Sequence, residues 1–401
     1  MIAILAIGIF SCFHKVNSIL PKSVPPAETK DEFILPILPG AYHTLEYVPK
    51  LKGKKVGLVC NHTSLIDQTH LLDSLLSLGV NVVRIFVPEH GFRGEASAGS
   101  SIKDGVDART GLPVISLYGK TKKPSADHLR NIEVLVFDLQ DVGVRFYTYI
   151  STLHYVMEAA SENSIPLIVL DRPNPNGHYI DGPVLQDSFK SFVGLHPIPV
   201  VYGLTIGELS QMIAGEKWIS LRPDFSLSVV KCKNYKHQSI YHLPVKPSPN
   251  LPDMRSVWLY PGLCFFEGTQ ISLGRGTDSP FQIYGHPRMM KWDTAFTPKD
   301  RPGAMNPPHK DQKCLGFSCK NFNLDSLRNS KRIPIMPILK AYDLMPDSFF
   351  LKGNFFNLLA GTNEFKKQIQ ARKTEREIRQ SWQAGLEKFK KLRAGYLLYP
   401  E

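Results

Sequence analysis

IEVLVFDLQD, residues 132–141, is an almost unbroken run of Ile, Val, Leu and Phe. A strand with this composition has no polar face to turn to solvent and must be covered on both sides. Runs of the same kind stand before and after it: KKVGLVCN (54–61), NVVRIFVPE (81–89), LPVISLYG (112–119) and IPLIVLDRP (165–173). Between them, HLLDSLLSLG (70–79) and YISTLHYVMEAASENS (149–164) carry apolar residues at helical spacing. Buried strands alternating with helices predict a doubly wound α/β domain with a mostly parallel sheet and right-handed crossovers.

The second half reads differently. After HPIPVVYGLTIGE (196–208) come a helix, a lone strand in FSLSVVKC (225–232) and a loop-rich tract holding KPSPNLPD and GRGTDSPF. Helices are expected near 335–345 and 363–394. At 401 residues the chain exceeds the usual single-domain size. The expected organisation is a sheet domain over 38–195 and a smaller α+β domain over 196–401.

The amino-terminal region is set apart. MIAILAIGIFSC is too short to span a bilayer, which takes roughly 20 apolar residues, but it has the length of a signal-peptide core. Ile9-Phe10-Ser11-Cys12 resembles a bacterial lipobox, although no Lys or Arg precedes the apolar run. Residues 1–12 are therefore expected to be a lipoprotein-type signal with Cys12 lipidated, and 13–37 a tether. The other five cysteines form no CxxC, so neither a zinc site nor a disulfide framework is expected. Part of the net charge of +12 sits in the last forty residues, where both signs alternate as on a solvated helix face. Nucleic acid is not an expected partner, and any membrane contact would run through the lipid anchor.

In an open parallel sheet the ligand crevice lies beyond the carboxyl ends of the strands. The unusual polar residues collect there: Asn61 after the first strand, Glu89, His90 and Arg93 after the second, and Tyr118 after the third. Asp138, Asp141, Arg145 and Tyr147 follow the fourth, and Asp171 and Arg172 the fifth. Helix caps explain Asn and Asp at such places, but not Glu, His, Arg and Tyr together. GxGxxG after the first strand, GxxxxGK[ST], GxSxG and HExxH are all absent. His90, Asp138, Asp141 and Asp171 have metal-ligand chemistry but match no compact ligand spacing, and no metal or cofactor is expected.

Carboxylate acid/base chemistry beside arginines and aromatics remains, the equipment of a glycoside hydrolase. Glu89, at the end of an apolar strand, is the acid of choice because desolvation raises a carboxyl pKa. Asp141 or Glu267 is the expected partner. Arg93, Arg145 and Arg172 are suited to clamp a substrate carboxylate, unless DxxDVGxR merely holds Arg145 against Asp138.

Taken in order, CNHTS, VPEHGFRGE, TGLPVISLYG, FDLQDVGVRFYTYISTL, LDRPNPNG, YGLTIGEL, PSPNLP, YPGLCFFEGT, SLGRGT and PFQIYG resemble the exo-β-N-acetylmuramidase family of peptidoglycan turnover, over roughly residues 38–401. The resemblance implies a Rossmann-like domain and a smaller C-terminal domain with the active site in the cleft between them. It implies release of N-acetylmuramic acid (MurNAc) from non-reducing ends of peptidoglycan fragments such as MurNAc-GlcNAc or muropeptides. It makes Glu89 catalytic with His90 beside it, and through FEGT and GRGT it sets Glu267 and Arg275 opposite Glu89. The lipobox adds an exported, periplasmic or outer-membrane lipoprotein of a Gram-negative bacterium. The alternatives are a non-catalytic muropeptide-binding lipoprotein and a metal-dependent cell-wall hydrolase.

Overall fold

The computed structural model describes residues 35–89, 91–92 and 104–401. Cys12, the signal segment and nearly all of the expected tether lie outside the described residues, as do His90 and Arg93.

The main sheet has seven strands: β1 (Lys55–Cys60), β2 (Asn81–Val87), β3 (Gly105–Val106), β4 (Pro113–Ser116), β5 (Val134–Asp138), β6 (Leu167–Leu170) and β7 (Leu227–Val230). Their order is β3-β4-β2-β1-β5-β6-β7. All neighbours pair in parallel except the short edge strand β3. From β1 the chain first winds outward through β2 and β4, then returns to the other side of β1 for β5, β6 and β7. This is the doubly wound, Rossmann-like arrangement, and its topological switch lies between β1 and β5.

Alternate side chains of each strand enter different cores. Val56, Leu58, Val82, Ile85, Val134 and Val136 pack with Tyr47 and Leu51 of α1 (Thr44–Leu51) and Leu71 and Leu75 of α2 (Leu71–Ser77). Val59, Phe86, Leu135, Phe137 and Val169 pack with Leu153 and Met157 of α3 (Tyr149–Glu162) and Leu209 of α4 (Ile206–Gly215). Burial on both faces is the physical reason the strands are continuously apolar.

The strand expected to stand alone at 225–232 is β7, paired along its length with β6. The sheet thus runs past residue 195, where the domain boundary was expected. Beyond it, β8 (Ile283–His286), β9 (Thr294–Phe296) and β10 (Cys314–Ser318) form a small antiparallel sheet in the order β8-β10-β9. Around it lie α5 (Met254–Leu263), α6 (Met336–Leu344), α7 (Phe355–Ala360), α8 (Glu364–Gln370) and α9 (Glu375–Arg393). Phe265, Phe266, Phe349 and Phe365 of this part share one apolar cluster with Phe137 and Leu153, and residues 37–401 form one compact unit.

Candidate active site

Three loops at the carboxyl ends of the strands meet elements of the second part around a cavity of about 240 Å³. Glu89 reaches it because Pro88 ends β2 and the chain turns at once, Gly91 N–H donating to the Pro88 carbonyl at 3.1 Å. Tyr118 enters two residues after β4, and Thr148 and Tyr149 enter at the start of α3. From the other side come Ser248 and Asn250 of PSPNLP, Tyr260 of α5, then Glu267, Arg275 and Phe355.

Glu89 is held by two hydroxyl groups. Thr148 Oγ1 donates to Glu89 Oε2 at 3.2 Å, and Tyr118, whose own ionisation is suppressed by burial and by the adjacent Glu89 charge, hydrogen-bonds to the same carboxylate. Glu267 sits on a short 3-10 turn, Cys264–Gly268, continuing from α5. The next residue has to be glycine, because a Cβ at Gly268 would lie 2.6 Å from Phe356 Cα. That close approach keeps α7, with Phe355 at its first position, against Glu267.

Arg275 Nη1 meets Glu267 Oε1 at 3.1 Å. The GRGT turn aims it: Gly274 and Gly276 flank Arg275 at φ of 70° and 80°, and Thr277 N–H closes the turn onto the Gly274 carbonyl at 3.0 Å. These dihedrals are open to glycine and strained for most other residues. Burial raises the Glu267 carboxyl pKa above its ordinary value; Arg275 pulls it back, and the negative charge of Glu89 pushes it up again. The two carboxylates therefore share one electrostatic environment.

The remaining wall is aromatic. Tyr260 packs edge-on against Phe146 and Phe281, with centroids 5.4 Å and 5.1 Å apart, and Tyr147 packs against Tyr149 at 4.7 Å. Tyr147 OH donates to the Pro247 carbonyl at 2.7 Å, so the ring lines the cavity while the hydroxyl anchors the PSPNLP loop. Apolar walls with a few converging polar groups are the usual construction of a small-molecule site.

Several expected site residues lie elsewhere. Arg145 is fully buried and clamps no carboxylate. Its guanidinium donates to the carbonyls of Pro183, Ile198 and Leu359 at 2.8, 2.7 and 2.9 Å, which ties three distant segments together. Arg172, also buried, is the residue that pairs with Asp138, donating from Nε at 2.5 Å and Nη2 at 2.8 Å. Neither guanidinium is open to a ligand.

Asp141 does not line the cavity. It accepts hydrogen bonds from Tyr202 OH and Gly143 N–H, and burial lifts its pKa to about 6. Asp171 accepts from Tyr399 OH, Thr205 Oγ1 and Gly207 N–H, and its pKa is likewise pushed up to about 6 by burial. Asn61 donates to Tyr149 OH at 2.7 Å and so supports a cavity residue from behind. Among the described residues no group of three or more His, Cys, Asp or Glu side chains could hold a metal ion.

Of the expected residues, the structure brings Glu89, Tyr118, Tyr147, Glu267 and Arg275 together at one cavity. Thr148, Tyr149, Tyr260, Phe281 and Phe355 were not expected there. Tyr118, at a strand end, carried the positional signal that Glu89 did, whereas the others are aromatic or hydroxylated residues of a kind common in cores.

Two glutamates and an arginine turned into an aromatic cleft supply the carboxylate chemistry that a glycoside hydrolase uses. The chain belongs to the exo-β-N-acetylmuramidase NamZ family: residues 56–255 match its N-terminal family model and residues 258–399 its C-terminal one. It is 40% identical over 375 residues to the peptidoglycan β-N-acetylmuramidase NamZ of Bacillus subtilis strain 168, covering 88% of this chain and 89% of that protein. Two crystal structures of DUF1343 family proteins from Bacteroides fragilis NCTC 9343 share the fold. One is 44% identical with a TM-score of 0.84 over 92% of this chain and all of the other. The second is 31% identical with a TM-score of 0.75, covering 90% and 99%.

Proposed function

We propose that this protein is an exo-acting β-N-acetylmuramidase in which Glu89 and Glu267 are the carboxylate pair that hydrolyses the glycosidic bond of a terminal MurNAc residue. The observation that carries the reading is the convergence of these two glutamates, from opposite parts of the chain, on one aromatic cavity.

The chemistry follows from the walls. Cleavage of a glycoside needs a proton for the leaving oxygen and negative charge near the oxocarbenium-like centre, and two carboxylates in unlike surroundings can divide these tasks. Glu89, fixed by Tyr118 and Thr148, has little rotational freedom. MurNAc also carries a lactyl carboxylate. With Arg145 and Arg172 committed to internal partners, Arg275 is the described arginine on the cavity wall, and it spends one nitrogen on Glu267. A guanidinium has five N–H donors, so the others suit the substrate carboxylate.

The cellular setting belongs to the same proposal. The apolar segment ending at Cys12 and the Pro-containing stretch after it support an exported, lipid-anchored enzyme acting on periplasmic wall fragments.

End-group analysis tests the activity. Incubated with MurNAc-GlcNAc and with longer glycan fragments, the purified protein should release free MurNAc from the non-reducing end at a constant rate, with no internal fragments. Release of oligosaccharides without free MurNAc, or no release, would contradict the proposal.

A further inference from the structure

Glu267 borders a second cavity of about 470 Å³, lined by Gln270, Ile271, Leu273, His309 and Leu351 among others. Glu267, Arg275 and Phe355 belong to both cavities, whereas Glu89 and Tyr118 line only the aromatic one. The two spaces therefore meet at the Glu267–Arg275 pair.

This second space is built from fixed backbone. Leu351 N–H donates to the Gly268 carbonyl at 3.1 Å, Thr269 bridges to Phe350, and His309 Nε2 lies 2.6 Å from the Gln270 carbonyl. Leu351 and Phe355 are large apolar side chains left more than a third exposed on its wall, surface that a ligand would cover.

A glycosidic oxygen lies between two sugars, so the group that protonates it must reach the junction of their two subsites. We propose that the cavity beyond Glu267 receives the leaving saccharide, and that Glu267, rather than Glu89, protonates the glycosidic oxygen. MurNAc then occupies the aromatic cavity beside Glu89. The inference rests on the muramidase reading and adds a direction to it. In the step, the proton of Glu267 passes to the glycosidic oxygen as the C1–O bond breaks and its electron pair goes to that oxygen. A water oxygen finally bonds to C1, and the proton it sheds replaces the one that left. The elevated pKa of Glu267 accords with a group that must hold a proton.

Two substrates test this: MurNAc-GlcNAc, and a dinitrophenyl β-glycoside of MurNAc whose leaving group departs without protonation. Glu267→Gln should lose about 10²- to 10⁴-fold in kcat on the disaccharide, the range for removing a general acid, but far less on the dinitrophenyl glycoside. Glu89→Gln should lose heavily on both. Independently, His309→Ala and Leu351→Ala should lower kcat/KM for the disaccharide at least fivefold more than for the dinitrophenyl glycoside. Equal losses on the two substrates for all four variants, or sparing of the activated glycoside by Glu89→Gln instead, would overturn the assignment. If the wild type cleaves neither substrate, the muramidase reading itself fails.

Discussion

Arg145→Lys separates a buried strut from a substrate clamp. The guanidinium makes three hydrogen bonds to backbone carbonyls of residues 183, 198 and 359, all in surroundings without solvent. Lysine is shorter and its ammonium cannot span three acceptors held in a planar fork. Two carbonyls should be left unsatisfied, each costing about 1–3 kcal/mol, and hydrogen bonds to a charged donor are individually worth about 1.5–3 kcal/mol. Lysine keeps one such bond and still buries its charge, so the net loss should be about 3–5 kcal/mol. Urea titration followed by tryptophan fluorescence should show the midpoint falling at unchanged slope. At a temperature where the variant stays folded, KM for MurNAc-GlcNAc should stay within about twofold of wild type. A tenfold rise in KM with a stability loss under about 1 kcal/mol would instead make Arg145 a ligand-binding residue.

Other outcomes follow from the same structure. Arg275→Gln removes the positive charge that lowers the Glu267 pKa, so the alkaline limb of the kcat–pH profile should move to higher pH; an unmoved limb would argue against Glu267 as the proton donor. Burial lifts the folded-state pKa of Asp141 to about 6 from 3.8. The folded protein thus binds that proton more tightly than the unfolded chain, a benefit complete below about pH 4 and lost as pH rises to about 6. In Asp141→Asn, melting temperature relative to wild type should therefore climb between those values and level off above them. Gly276→Ala places a Cβ 2.4 Å from the Lys299 carbonyl at a φ of 80°. It should lower both stability, by about 1–3 kcal/mol, and kcat, because the turn that aims Arg275 is distorted; thermal melts and steady-state kinetics check each.

The sheet was legible because β1, β2, β5 and β6 are buried on both faces, and that leaves continuous apolar runs. β7 was read as solitary because three of its four residues are only partly buried and a helix and long loops separate it from β6. The antiparallel sheet of the second part went unread, its short strands lying in a Pro- and Gly-rich tract. Glu89 could be named because it ends an apolar strand at the carboxyl edge of the sheet, whereas Arg275, and Glu267 facing Glu89, came through the family resemblance carried by FEGT and GRGT. The arginines at 145 and 172 carry the same local signature as a ligand-binding arginine. What distinguishes them is a set of carbonyls up to 214 positions away for one and a buried Asp138 for the other, and no local pattern encodes either.

Glu89 and Glu267 as the hydrolytic pair can be tested in one assay. Free MurNAc released from MurNAc-GlcNAc is measured by mass spectrometry for the wild type and for folded Glu89→Gln and Glu267→Gln. The wild type should release MurNAc steadily, and each variant should fall by about a hundredfold or more. Release by either variant at close to the wild-type rate would contradict that pairing.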